Sequence, residues 1–337
     1  MKKSFGELSN GVETTLYTIS SGKISAQITD YGATLVSLWV PDKNGQLSDV
    51  ILGYDDAKGY EKGSTFQGAI VGRSANRIAG SAFVMNGTTY VLPANEGQNN
   101  LHSGPDYYSK RMWTVEEVTE DSIRLYLFSP NGDQGYPGNA HIRVTYTIEN
   151  NGLKITYDAW SDMDTVFNLT NHSYFNLAGH DCPERAMKQE LILPARSYTV
   201  ADAASIPTGE MRSVEGTPMD FRTPKAIGRD IDVDYEALNL QGGYDHNFEV
   251  FSDPCAILSD PKSGRTMAVS TDCPGIQFYA GNFIVNEKGK SGAVYTKRTG
   301  ICLETQYYPK SINEPQWAQP VTPAGERYYS VTQYTFK

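Results

Sequence analysis

Five histidines and one glutamate on an otherwise uncharged strand hold most of the acid-base chemistry this sequence offers. His102 lies in Asn99-Asn100-Leu101-His102-Ser103-Gly104, His172 in Asn168-Leu169-Thr170-Asn171-His172-Ser173-Tyr174-Phe175-Asn176, and His246 in Tyr244-Asp245-His246-Asn247. Such neutral donors and acceptors either satisfy buried backbone groups in irregular loops or line a polar site. His141 opens the polar face of an alternating strand and His180 follows Gly179, so both are expected to be solvated. Glu304 stands in Ile301-Cys302-Leu303-Glu304-Thr305-Gln306, where Ile301 and Leu303 make the other parity apolar. A buried carboxylate there is costly unless hydrogen bonded. It is either the structural partner of an arginine or a general base in a polar cleft, and a base needs an acid of higher pKa opposite it. A histidine from another loop would fill that role.

Other chemistries lack their usual signatures. No His-Glu-x-x-His or comparable ligand spacing is present, and the four cysteines at 182, 255, 273 and 302 are separated by 73, 18 and 29 positions. Neither pattern suits a metal centre or a Cys-x-x-Cys redox pair, so no metal is expected. The thiols read as reduced, mostly buried groups of a cytoplasmic protein. Gly-x-Ser-x-Gly is absent, and Gly68-Ala69-Ile70-Val71-Gly72-Arg73 lacks the Lys-Ser/Thr of a phosphate loop.

The elements that must position these residues are strands. Ile123, Leu125 and Leu127 alternate with Arg124, Tyr126 and Phe128, and Ile142, Val144, Tyr146 and Ile148 with Arg143, Thr145, Thr147 and Glu149. Asn86-Gly87 and Asn150-Asn151-Gly152 separate strand pairs with the residues that tight hairpins demand. Helical periodicity is confined to scraps such as Asp55–Tyr60 and Pro183–Met187. With no strand-helix-strand rhythm, no repeat and no linker, the reading is an all-β chain. It forms one large antiparallel sandwich, a single domain over residues 1–337 whose loops gather a site on one face.

Composition narrows the partners. The 29 basic and 39 acidic residues give a net charge of −10, which repels polyanions, so nucleic acid is not an expected partner. No run reaches the roughly 18 consecutive apolar residues of a membrane helix, so no membrane partner is expected, and no export signal is visible behind Lys2 and Lys3. The 22 tyrosines and 4 tryptophans suit strands and equally suit sugar faces, where a ring plane meets a rim of hydroxyls.

Seven motifs, in order, resemble the aldose 1-epimerase family, the galactose mutarotases. They are Gly72-Arg73-Ser74-Ala75-Asn76-Arg77-Ile78-Ala79-Gly80, Asn100–Gly104, Gly135-Tyr136-Pro137-Gly138-Asn139, Asn168–Leu177, Tyr244–Asn247, Gly275-Ile276-Gln277-Phe278-Tyr279 and Glu304-Thr305-Gln306. The segment from Pro309 to Phe336 is also similar to that family's C-terminus, so the resemblance covers nearly the whole chain.

The resemblance implies a galactose mutarotase-like β-supersandwich, an isomerase of galactose and hexose metabolism that interconverts α and β anomers of free aldohexoses. It implies Glu304 as general base and His172 as general acid. Sugar hydroxyls would be held by Asn76, Arg77, His102, Ser173, Tyr174, Asp245 and Gln277. Ser103 departs from the glycine common after that histidine, and Ser74 replaces a bulkier residue, which bears on sugar preference rather than reaction. Opening a pyranose removes the C1 hydroxyl proton while protonating the ring oxygen, so a base and an acid must flank the hemiacetal. Glu304 as carboxylate and His172 as imidazolium fit, with the acidic limb of a bell-shaped pH profile assigned to Glu304 and the basic limb to His172. No cofactor is required. Asp245 and fork-type bonds from Arg77 would fix the C2 to C6 hydroxyls, and Tyr174 or Phe278 could pack on the sugar face, with core packing the competing role for Phe278. Three alternatives stay open: a hexose 6-phosphate epimerase using Arg73 and Arg77, a glycosidase built on Glu304 and Asp245, and a sugar-binding module without turnover. The expected assembly is a monomer or a homodimer.

Overall fold

Period-two alternation lets each strand bury one face, and the computed structural model, which describes residues 1–337, packs three antiparallel sheets on that basis. The N-terminal sheet is a five-strand meander of Lys2–Glu7, Glu13–Ser21, Ile24–Thr29, Thr34–Pro41 and Leu47–Asp49. The largest sheet has nine strands in the spatial order Thr114–Val118, Ser122–Ser129, Ala140–Glu149, Gly152–Ser161, Arg327–Phe336, Thr266–Thr271, Ala256–Ser259, Glu190–Ile192 and Lys225–Ala226. The third runs Pro207–Ser213, Ser197–Ala201, Asp245–Glu249, Gly275–Tyr279 and Cys302–Gln306. The chain is therefore all-β.

The alternation works as its residue types dictate. Ile142, Val144, Tyr146 and Ile148 are buried while their neighbours of opposite parity are partly exposed. Asn86-Gly87 closes a hairpin between Ala82–Met85 and Thr88–Val91, and Asn150-Asn151 turns the chain between two ten-residue strands, both asparagines at positive φ. Only two α-helices form, Ala57–Lys62 and Glu236–Gln241, each of six residues. Pro183–Lys188 is a 3-10 helix.

One cluster of 56 buried side chains joins all three sheets. Between the nine-stranded and third sheets, Tyr334 packs on Phe175 and donates its hydroxyl to the Leu303 carbonyl. His246 belongs to this interior. On strand Asp245–Glu249 it has the parity of Phe248, faces Tyr198 edge to ring at 5.7 Å, and accepts the Asp245 amide on Nδ1. Its loop-like sequence neighbourhood thus marks a core histidine. The expectation that His141 and His180 are solvated fails as well. His141 stacks on Trp160 at 4.9 Å and bonds the Tyr126 hydroxyl, and His180 bonds the Tyr295 hydroxyl, so both are half-buried.

Candidate active site

The third sheet turns a grid of polar side chains toward a cavity. Strand pairing sets Asn247 opposite Gln277 and Gln277 opposite Glu304, while Asp245 lies opposite Tyr279 and Tyr279 opposite Cys302. Residues two apart share a face, so these belong to one surface. The other parity, Phe248, Ile276, Phe278 and Leu303, fills the core. Phe278 accordingly packs against Tyr244 and Phe221, and Tyr279, of the opposite parity, lines the cavity together with Phe66, Tyr174 and Phe283.

His172 is fixed over this grid by its backbone. The His172 amide donates to the Ala69 carbonyl and the His172 carbonyl accepts from Gly68. Gly68 has φ +70°, and a Cβ there would stand 2.0 Å from the Leu35 carbonyl oxygen, so the close approach requires glycine. Three residues on, Phe175 and Ile301 exchange two backbone hydrogen bonds at 2.8 and 2.9 Å. Ile301 precedes Glu304 by three positions, so one bridge ties the histidine segment to the glutamate strand.

His172 Nε2 stands 3.7 Å from Glu304 Oε1 as a result. Both side chains are almost wholly buried, and Glu304 Oε2 has no hydrogen-bond partner. Burial, then the neighbouring Asp245 carboxylate, raises the Glu304 pKa well above the ordinary carboxylate range, against a smaller opposing pull from Arg77. Burial lowers His172 to about 4. Both shifts favour neutral groups, which opposes the imidazolium-carboxylate pair expected from sequence. At 3.7 Å the two groups are close enough for their titrations to be coupled. Both directions run against the order expected from sequence, in which Glu304 loses its proton before His172.

A second loop pair completes the wall. Arg77–Ile78 pairs with Asn100–Leu101, bringing Asn76 beside His102, whose Nδ1 accepts the Asn76 amide at 3.1 Å. That acceptor role assigns the ring proton to Nε2, and burial, with His172 and Arg77 adding to it, holds His102 well below its usual pKa. His102 is a neutral donor. Gln277 Nε2 donates to Asp245 Oδ1 at 2.7 Å. Arg77 does not offer the free fork expected, since its Nε and Nη2 donate to Glu96 at 2.6 and 2.8 Å.

Asn76, Arg77, His102, His172, Tyr174, Asp245, Gln277 and Glu304 all line one cavity of about 880 Å³. Ser173 does not. Its hydroxyl donates to Asn171 Oδ1 at 2.6 Å and it points away from the cavity, as strand-like alternation with His172 and Tyr174 requires. Sequence reasoning missed Glu96 and Phe66, which line the cavity, and Cys302, which contacts His172 without lining it. Phe66 has φ +56°, strained for a bulky residue, and its ring packs on His102 and His172 at 4.8 and 5.8 Å. Parity with Glu304 was the available signal for Cys302; nothing local marked the other two.

Arg73 bears on the phosphate-sugar alternative. Its side chain is 1% exposed and donates to the Pro137 carbonyl, Ser129 and Thr165. Arg77 is thus the one cationic side chain lining the cavity, and it is paired with Glu96. No basic cluster awaits a dianion there.

Residues 15–335 match the sequence profile of the aldose 1-epimerases. The galactose mutarotase of Mus musculus is 40% identical over 98% of this chain and 97% of its own length. The chain belongs to the aldose 1-epimerase family. The aldose 1-epimerase of Haemophilus influenzae is 38% identical over 92% of each chain. Among solved structures, an aldose epimerase homologue from C. elegans superposes with a TM-score of 0.88 at 31% identity, covering 96% of this chain and 98% of that one. A galactose 1-epimerase from Lactobacillus acidophilus gives 0.87 at 28% identity, covering 100% and 98%. This aldose 1-epimerase is therefore an isomerase-class enzyme, and no helix in it is long and apolar enough to cross a membrane.

Proposed function

We propose that the enzyme interconverts the α and β anomers of free aldohexoses such as galactose and glucose, with Glu304 as general base and His172 as general acid. The observation that carries this reading is the 3.7 Å approach of His172 Nε2 to Glu304 Oε1 at the floor of a polar cavity. A galactose mutarotase at 40% identity supports galactose as a substrate.

In the charge-separated form of the pair, Glu304 takes the C1 hydroxyl proton while His172 gives its proton to the ring oxygen. The C1–O5 bond breaks and the aldehyde forms. Both groups are then neutral, the state their burial favours, so opening relieves the cost of the buried charges. Rotation about C1–C2 presents the other carbonyl face. The neutral pair closes the ring by the reverse transfers, Glu304 returning a proton to O1 as His172 removes one from O5. The His102 Nε2–H, the Asp245 carboxylate and the Gln277 amide are placed to hold the remaining hydroxyls so that only C1 turns. No cofactor takes part in these transfers.

The sugar is the one proposed partner. Four unpaired thiols, three of them buried, support a reducing, cytoplasmic setting. Polarimetry of freshly dissolved α-D-galactose and α-D-glucose, with exchange NMR of glucose 6-phosphate, tests the reading. Faster relaxation of the free sugars is expected; a response by the phosphate sugar alone, or by none, refutes it.

A further inference from the structure

Cys302 and Glu304 are two apart on one strand and share its face, Glu304 lining the cavity and Cys302 buried beside Tyr174 and Tyr279, and His172 reaches both from the facing segment. Cys302 Sγ meets His172 Nδ1 at 3.6 Å, and the thiol, imidazole and carboxylate ligand atoms all lie within 4.8 Å of one another. We propose that His172, Cys302 and Glu304 form a binding site for a thiophilic divalent cation of the Zn²⁺ and Cd²⁺ class, and that the bound ion shuts the enzyme off. The inhibitory half rests on the function proposed for His172 and Glu304; the binding half does not.

The donor set is right for such an ion. Thiolate, imidazole and carboxylate are the three groups that zinc takes, at about 2.3 Å to sulfur and about 2.0 Å to nitrogen or oxygen. Tetrahedral edges are then about 3.5 Å, so closure needs a contraction of roughly 1 Å and a turn of the imidazole to offer one nitrogen to the ion. Three protein ligands would leave a fourth position for water. Two further observations point to a cation. Glu304 Oε2 is buried without a partner, and Asp245 adds a second carboxylate to a wall whose one cation, Arg77, is held by Glu96. Cys302 is fully buried and does not itself line the cavity, so an ion would reach its thiol past His172 and Glu304, which do.

Binding exchanges protons for metal. The cation displaces the thiol proton and the proton shared by His172 and Glu304, forming bonds to sulfur, nitrogen and oxygen and releasing two protons to solvent. The same event removes the proposed base and acid together, so inhibition should be competitive with sugar. Cys-x-Glu is no recognised metal motif, and the third ligand lies 130 residues away in sequence, which is why local spacing gave no warning.

The test uses the full-length enzyme freed of metal by chelator. Cd²⁺ is titrated while the ultraviolet thiolate-to-cadmium band is recorded, and Zn²⁺ is titrated by calorimetry and against anomerisation rate. One ion per chain, with proton release and reversal by chelator, is expected. Cys302→Ser should abolish the band, and both it and Glu304→Gln should weaken binding by about tenfold or more. Cys182→Ser, which alters the half-exposed thiol outside the cavity, should change neither. No saturable binding at millimolar ion, or a band kept in Cys302→Ser and lost in Cys182→Ser, overturns the site. Binding without competition against an active sugar overturns the inhibitory half, and an enzyme inactive on sugars leaves the spectroscopic readout to decide the site alone.

Discussion

Arg77 and Glu96 are joined by two hydrogen bonds, Nε to Oε2 at 2.6 Å and Nη2 to Oε1 at 2.8 Å, at the mouth of the sugar cavity. The fork that sequence reasoning aimed at the substrate is thus held by the wall, and Nη1 makes no hydrogen bond within the protein. A planar guanidinium gripped on one edge is a preorganised donor, whereas a free arginine must lose rotamer freedom on binding. Glu96→Gln is expected to raise KM by about tenfold with a smaller change in kcat, because a charge-assisted bidentate pair becomes a neutral contact. Arg77→Lys should not rescue it. Steady-state polarimetry on both variants checks the split.

The acid and base make the strongest demand. Glu304→Gln and His172→Asn should each lower the anomerisation rate by about 100-fold or more, the usual range for positioned acid-base groups. Turnover at the parent rate in either variant removes that residue from the mechanism.

The pH profile separates two assignments of the same pair. Burial depresses His172 to about 4 and raises Glu304, so the singly protonated pair persists between those limits. Activity should fall at low pH as the pair gains its second proton, and at high pH, above the ordinary carboxylate range, as it loses its last. NMR titration of the His172 ring alongside kcat/KM checks this. An imidazolium persisting at neutral pH in the empty enzyme would restore the opposite assignment.

His246 makes an independent prediction about stability. Its folded pKa is lowered by burial from 6.5 to about 4, so the unfolded chain binds more protons across that window. Stability contributed by the neutral ring is full above the unfolded value and is lost as pH falls through about 6.5 to about 4. Between about pH 7 and about pH 5 the loss from this one group is about 2 kcal/mol. Urea unfolding should show His246→Gln to be less stable at neutral pH and flatter toward acid.

Arg73 should matter to folding and not to phosphate. Its guanidinium supplies hydrogen bonds to the Pro137 and Ser129 carbonyls in the interior. Arg73→Met orphans those acceptors and should cost about 3 kcal/mol. Calorimetric unfolding checks the cost, and an intact affinity for galactose in the folded fraction checks that the role is structural.

Much of this protein was legible because strands alternate strictly. Period two in Ile142–Ile148 and the turn residues at Asn86-Gly87 specify local pairing without reference to distant chain, and six of the seven motifs hold residues of the wall. Parity even held the clue to Ser173, which alternates away from the cavity between His172 and Tyr174, and to the choice between Phe278 and Tyr279. What sequence could not determine is everything that depends on which distant segments meet. Asp245-His246 reads as polar loop, yet one side chain faces the cavity and the next faces Tyr198, because sheet pairing chooses the face. The Arg77 fork, the Cys302 contact and the protonation of His172 and Glu304 arise from neighbours tens to hundreds of residues away, and from burial, which no residue carries in its own identity. Composition and spacing supplied the groups; only the tertiary fold set the distances and the dielectric that decide how they titrate.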